Sequence, residues 1–242
     1  LKSGNVGRLV ANDFRGALIR AELLEVDPAS GQRLNYRAVA NQLEAVRAKY
    51  QTDGIDVHII GFAKAVGDIT DGAIGVLVFF AVAFVITAVL LYLYKGSLAL
   101  TALALVCALM PVVWLLGLLP LLGYGIDPMS ILVPFLIFSI AVSHAVQMTN
   151  AWKLETLHGA DGVTASTHSF EKLFIPGASA LVANAVGFMV IAFVKIEMVQ
   201  ELAITATLGV SLMIFTNKLL LPILLSFMKL SARDARKIKG KE

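Results

Sequence analysis

Residues 131–147 read ILVPFLIFSIAVSHAVQ, an uncharged apolar run that sets Ser143, His144 and Gln147 within one helical turn. A hydrocarbon core roughly 30 Å thick takes about 20 apolar residues in helical form, and the run continues on both sides of this stretch. It therefore reads as a membrane span. Polar or titratable groups at bilayer depth are costly, so they usually face a bundle interior or a water path. His144 stands out among them, because an ordinary imidazole changes charge near physiological pH.

The whole composition agrees with a membrane class. The chain has 242 residues, of which 58% are hydrophobic, and its mean hydropathy is +0.81. Five segments are long and apolar enough to cross: 72–94, 97–122, 128–150, 173–194 and 198–228. The last exceeds one crossing and is expected to tilt or to end early at Pro222. The expected fold is mainly α, a five-helix transmembrane bundle over 66–230, preceded by a small extracytoplasmic α/β segment (1–65) and followed by a basic tail (231–242).

Charge sets the expected orientation. Lys95, Lys153, Lys172, Lys229, Arg233, Arg236, Lys237, Lys239 and Lys241 fall on one side of the spans, and only Lys195 on the other. Basic residues concentrate in cytoplasmic loops, which puts the first group inside and residues 1–71 outside. An exported segment needs something upstream to carry it across, and no signal-like region opens the sequence. The chain thus reads as a piece of a longer protein with at least one membrane helix before it. Cys107 lies inside an apolar span, so no disulfide framework is expected. The basic tail has no interleaved aromatics and suits anionic lipid better than nucleic acid.

The soluble segment reads β-α-β. Residues 17–26 (ALIRAELLEV) alternate as a strand, 27–32 (DPASGQ) form a turn, Asn35 caps a helix to about Lys49, and Ile55, Val57 and Ile59 alternate again. This order suggests half of a ferredoxin-like unit. Residues 61–71 join it to the membrane. Between the third and fourth spans, 152–172 is polar and broken by Gly159 and Gly162. It predicts one or two short helices on the cytoplasmic face, with Trp152 at headgroup level. His158 and His168 are ten apart, which matches no compact metal motif. No phosphate-binding loop occurs, and no nucleophile–base or metal spacing indicates an enzyme or a cofactor.

Inside the membrane, Ser139, Ser143, Gln147 and Asn150 recur at helical spacing as one stripe, with His144 beside it. In the fourth span Gly177, Ala180, Asn184 and Gly187 form a small face, and in the fifth Thr205, Gly209 and Thr216 recur similarly. Small residues let helices approach closely. His144 has two readings: a proton carrier with Ser143, Gln147 and Asn184 around it, or a neutral imidazole making one hydrogen bond to Gln147 or Asn184. Lys218 (IFTNKLLLP) also has two. It snorkels to the cytoplasmic end, or it is a buried partner for a carboxylate outside this sequence.

These residues bring out a resemblance. Residues 125–150 (GIDPMSILVPFLIFSIAVSHAVQMTN), 179–188 (SALVANAVGF) and 203–225 (AITATLGVSLMIFTNKLLLPILL) resemble the fourth, fifth and sixth helices of the resistance-nodulation-division (RND) superfamily. The likeness is strongest to its MMPL-like exporters and the related sterol-sensing-domain proteins, and it covers most of 55–228. It implies a protein of two similar halves, each with six helices and a periplasmic porter domain, in a bacterial inner membrane. Such proteins mostly export lipids or hydrophobic compounds on the proton gradient, as homo-oligomers in some cases, while other relatives are sterol-responsive regulators. Many MMPL-type members carry an Asp-Tyr pair in the fourth helix. Ser143 and His144 occupy those positions here, and Asp127 sits at the outer end of the helix.

Overall fold

The computed structural model describes residues 4–26, 31, 33–52, 54–125 and 129–230. They fall in two compact units that divide between Thr70 and Asp71.

In the first unit, helix α1 (Tyr36–Tyr50) starts where the sequence predicts, with the Asn35 side chain accepting a hydrogen bond from the Ala38 amide at 3.1 Å. The α/β expectation fails. Among the described residues there are only isolated bridges, such as Val10 with Ala17 and Thr52 with Ile55, and neither 17–26 nor 55–59 forms a strand. A strand needs a neighbour to bond and a layer to cover its apolar face. Here Ile19 is 93% exposed and Ile60 87%, so alternation has nothing to pair with. Most of the turn expected at 27–32 lies outside the described residues.

Helix α2 (Phe62–Lys95) begins ten residues before the expected start at 72, so 62–71 is helix rather than joint. Its first turns carry α1. Tyr36 meets Phe62 edge to face at 5.4 Å, and a Cβ at Gly67 would overlap that of Ala40. Lys64 bonds both Asp68 and Glu44, the latter at 2.6 Å. Lys64 and then Arg47 hold the Glu44 carboxyl below its usual range.

In the second unit, α3 (Leu98–Leu121), α4 (Val133–Leu157, entered through a 3-10 turn at Ser130–Leu132), α5 (Gly162–Ile191) and α6 (Glu197–Ser226) pack on one another. With α2 they are five helices long and apolar enough to cross a membrane. The core joins Leu115, Ile137, Ala141, Leu181, Val210 and Met213, all essentially inaccessible. A second cluster at the other end gathers Cys107, Met148, Trp152, Ala165 and Leu225. Against α4, α2 lays Phe80, whose ring lies 5.1 Å from Phe135 and 5.4 Å from Phe138. Its outer side chains, such as Phe79 and Leu90, stay exposed, as lipid-facing groups do.

The connection expected as surface helices at 152–172 is instead the end of α4, a short turn and the first three turns of α5. Trp152 explains the difference. It is fully buried, and its indole N–H donates to the Gly162 carbonyl at 3.2 Å. Asp161 then caps α5 by accepting from the Thr164 amide at 3.2 Å, and hydrogen bonds from Thr164 hold its carboxyl below the usual range. His158 is exposed, and His168 pairs with Glu155 at 3.2 Å. The tail from 231 lies outside the described residues.

Gly209 is one place of close approach in the bundle. A Cβ there would stand 2.5 Å from Ile137 Cδ1 and 3.1 Å from Leu115 Cδ2, so α6 meets α3 and α4 through that glycine. At Gly187 nothing lies within 4 Å. Gly209→Leu should therefore cost about 1–3 kcal/mol through overpacking and lower the unfolding temperature in detergent, whereas Gly187→Leu leaves the packing of this bundle intact. Equal losses at the two positions would contradict this packing.

Candidate functional site

Hydroxyls buried in the spans mostly close on their own helix. Thr101 donates to the Ser97 carbonyl at 2.9 Å, Thr149 to Ala145 at 2.7 Å, Ser169 to Ala165 at 2.7 Å and Thr207 to Ala203 at 2.7 Å. Each is satisfied one turn back and needs no neighbour. Polar groups that break this habit are few and fall into two places.

One is the membrane end shared by α2 and α4. Lys95 is 1% exposed and donates to Thr149 Oγ1. Beside it the Asn150 amide donates to Tyr94 Oη at 2.6 Å, while its Oδ1 is buried without a partner. Lys153 lies over the Tyr94 ring, 6.0 Å from its centre. These contacts tie α2 to α4 where aromatic and basic side chains commonly anchor a bundle.

The other place is built by α6. Pro222 has no amide hydrogen, and its ring crowds the carbonyl of Lys218 four residues earlier. Through Ile214–Leu220 the helix widens to π-helical bonding and returns to α at Leu221. The Ser166 hydroxyl of α5 donates to the carbonyl of Pro222 itself at 2.5 Å. The widened turn carries Thr216, Asn217 and Lys218, all 0–1% exposed. Neither polar atom of the Asn217 side chain has a partner. On α5, the Lys218 side chain fills the space that a Cβ at Gly177 would need, with its ammonium lying over the glycine. On α4, His144 is 8% exposed, its Nδ1 is unpartnered, and it interacts electrostatically with Lys218. No carboxylate among the described residues pairs with Lys218.

α4, α5 and α6 thus bring His144, Gly177 and Lys218 near one another, with Asn217 buried on the same widened turn. Orphaned buried polar atoms are rare in folded proteins, and helix irregularities often mark functional positions. The residues singled out by spacing divide between this cluster and the outer surface. His144 and Gly177 join the cluster, and Gly209 is at a packing contact. Ser143 and Gln147 face outward from α4, and Ala180, Asn184 and Gly187 face outward from α5. No hydrogen bond joins His144 to Ser143, Gln147 or Asn184 among the described residues. Asn217 escaped the sequence reading, although its place between Thr216 and Lys218, five residues before Pro222, was a visible sign of a broken helix. No group of three or more His, Cys, Asp or Glu that could hold a metal occurs among the described residues.

No curated protein and no solved structure matches this chain. Residues 93–238 do match a family, the sterol-sensing domain described for SREBP cleavage-activation. The match runs from the end of α2 through α6 and contains His144, Gly177, Asn217 and Lys218. With more than half of its length matched, the chain belongs to the sterol-sensing domain family.

Proposed function

We propose that this bundle is part of a secondary transporter of the RND/MMPL type that exports lipids or hydrophobic compounds on the proton gradient, and that it is not an enzyme. The observation that carries the reading is His144, a titratable side chain buried in a span with an uncommitted ring nitrogen. A group already locked in a hydrogen bond on both sides has little use as a proton carrier; this one has an open position. Loading and unloading a proton on His144 changes the electrostatics between α4 and α6, and so biases two packings of the helices.

Polar and small residues on the outer faces of α4 and α5 support a second bundle. Ser143, Gln147, Asn184, Ala180 and Gly187 would be poorly served by lipid and well suited to close helix contact. In this reading they meet the other half of a two-half protein, where Ser143, Gln147 and Asn184 complete the proton path. The protein resides in a bacterial inner membrane, with residues 1–65 the end of a periplasmic porter-like domain and the tail in the cytoplasm. A second reading, lipid or sterol sensing without transport, draws on the family match itself. A bundle that only senses has no need of a group that takes up protons.

Orientation is testable with single cysteines in a Cys107→Ala background. Leu122 and His158 are exposed and avoid the left-handed glycines beside them, Gly123 at φ 79° and Gly159 at φ 100°. In intact spheroplasts an impermeant thiol reagent should label Leu122→Cys and spare His158→Cys. The reverse pattern would invert the topology and remove the transporter assignment.

Coupling is testable in inside-out vesicles containing the full-length protein. His144→Ala should abolish gradient-driven efflux at an unchanged membrane level, and His144→Asp should restore part of it, since a carboxylate also loads and releases a proton. His144→Gln keeps a polar side chain of similar size but cannot titrate, so it should be inactive. Normal efflux in His144→Gln would end the proton-switch reading.

A further inference from the structure

Where α2 meets α4 at one membrane end, Lys95 and Lys153 lie near enough to interact electrostatically. No carboxylate among the described residues pairs with either. Lys95 is buried, and the hydroxyl of Thr149 that accepts from it carries no charge. The neighbouring α3 supplies no counter-charge, since residues 96–126 hold no charged side chain. Glu155 is the only acid of α4, and it is held by His168 at 3.2 Å. Like charges repel more strongly where water is scarce than in solution. Such a pair favours an anion beside it.

The accessible side of this pair presents donors without acceptors. The Asn150 amide donates to Tyr94 Oη at 2.6 Å, which leaves the phenolic hydrogen for another acceptor. Lys153 sits 6.0 Å from the centre of the same ring. It is half-buried, while Tyr94 is 56% exposed, so both side chains can be reached from outside. Lys153 stands one turn after Thr149 on the side of α4 that meets α2, a different side from Ser143 and Gln147.

Depth decides which anion fits. Tyr94 is the next-to-last residue of α2, and Lys153 is four residues from the end of α4, which sets both at headgroup level. Val82, Ile86 and Leu90 precede Tyr94 at four-residue steps and are 51–60% exposed. One apolar column therefore runs from the donors into the bilayer. A water-borne anion would use the donors alone, whereas a lipid uses both. A phosphodiester offers two free oxygens, one for the Lys153 ammonium and one for the Tyr94 hydroxyl. Phosphatidylcholine brings its own cation to a place that already holds two; an anionic phospholipid brings net negative charge. We propose that Lys153 and Tyr94, backed by the charge of Lys95, bind the phosphodiester head of an anionic phospholipid whose acyl chain lies along Leu90 and Ile86.

Binding in detergent needs neither a gradient nor a sidedness, so the test is independent of the His144 assays and of the orientation. The full-length protein is delipidated and given equal amounts of phosphatidylglycerol and phosphatidylcholine with the same acyl chains. Retained lipid is counted by native mass spectrometry. Phosphatidylglycerol should be held about tenfold over phosphatidylcholine, the worth of one charge-assisted bond. Lys153→Gln should bring that ratio toward one, and Tyr94→Phe should lower it by a smaller factor. Lys229→Gln, which removes an exposed charge just after α6, should leave it unchanged. The comparison of the two lipids needs only the unaltered protein, so a poorly folding variant leaves the test intact. Equal retention of the two lipids overturns the proposal, as does an unchanged ratio in Lys153→Gln. Equal losses in Lys153→Gln and Lys229→Gln overturn it in favour of a diffuse attraction to the whole basic end. Release of phosphatidylglycerol by excess inorganic phosphate assigns the donors to a water-borne anion and overturns it as well.

Discussion

In a span, a polar group that finds no partner within the protein finds none at all, and this constraint shapes the bundle from backbone to side chains. Regular helices satisfy the amides and carbonyls. Threonine and serine hydroxyls answer it one by one, folding back onto the carbonyl one turn earlier at Thr101, Thr149, Ser169 and Thr207. Pro222 is where the regular solution fails. It takes a donor away from the turn before it, which runs as a wider π-helical turn, while its own carbonyl accepts from the Ser166 hydroxyl. That turn carries the buried Asn217 and Lys218, the latter lying over Gly177 of α5.

The spans were legible because length and apolarity alone decide them, and all five occur within a few residues of the predicted cores apart from the early starts of α2 and α5 and the late end of α4 at Leu157. Those starts were hidden for one reason: polar helical turns outside lipid carry no apolar run to announce them. For α5 the deciding contact, Trp152 to the Gly162 carbonyl, joins residues whose proximity depends on how the turn between them closes. The strands failed for a different reason. Alternation reports a tendency to present two faces, but a sheet exists only when a partner strand accepts the bonds, and none does among the described residues.

The polar stripe shows how far helical spacing reaches. Ser139, Ser143 and Gln147 share one face, as the intervals require, yet that face points outward while His144 points inward. Spacing fixes which residues travel together and is silent on which way the helix is turned. Gly177 was legible as a place of close approach. What approaches it is a lysine side chain rather than another helix backbone, and this depended on the widened turn of α6.

The position of α6 has a consequence for biogenesis. It touches α3, α4 and α5, and it is the last of the four to leave the ribosome. Before it arrives α3 can already pack on α4 and α4 on α5, but Gly209 has not yet met Ile137 and Leu115, so the core is closed only when α6 enters. A ribosome stalled before residue 197 leaves an intermediate with Gly177 and His144 uncovered, the kind of incomplete membrane protein that cellular proteolysis recognises.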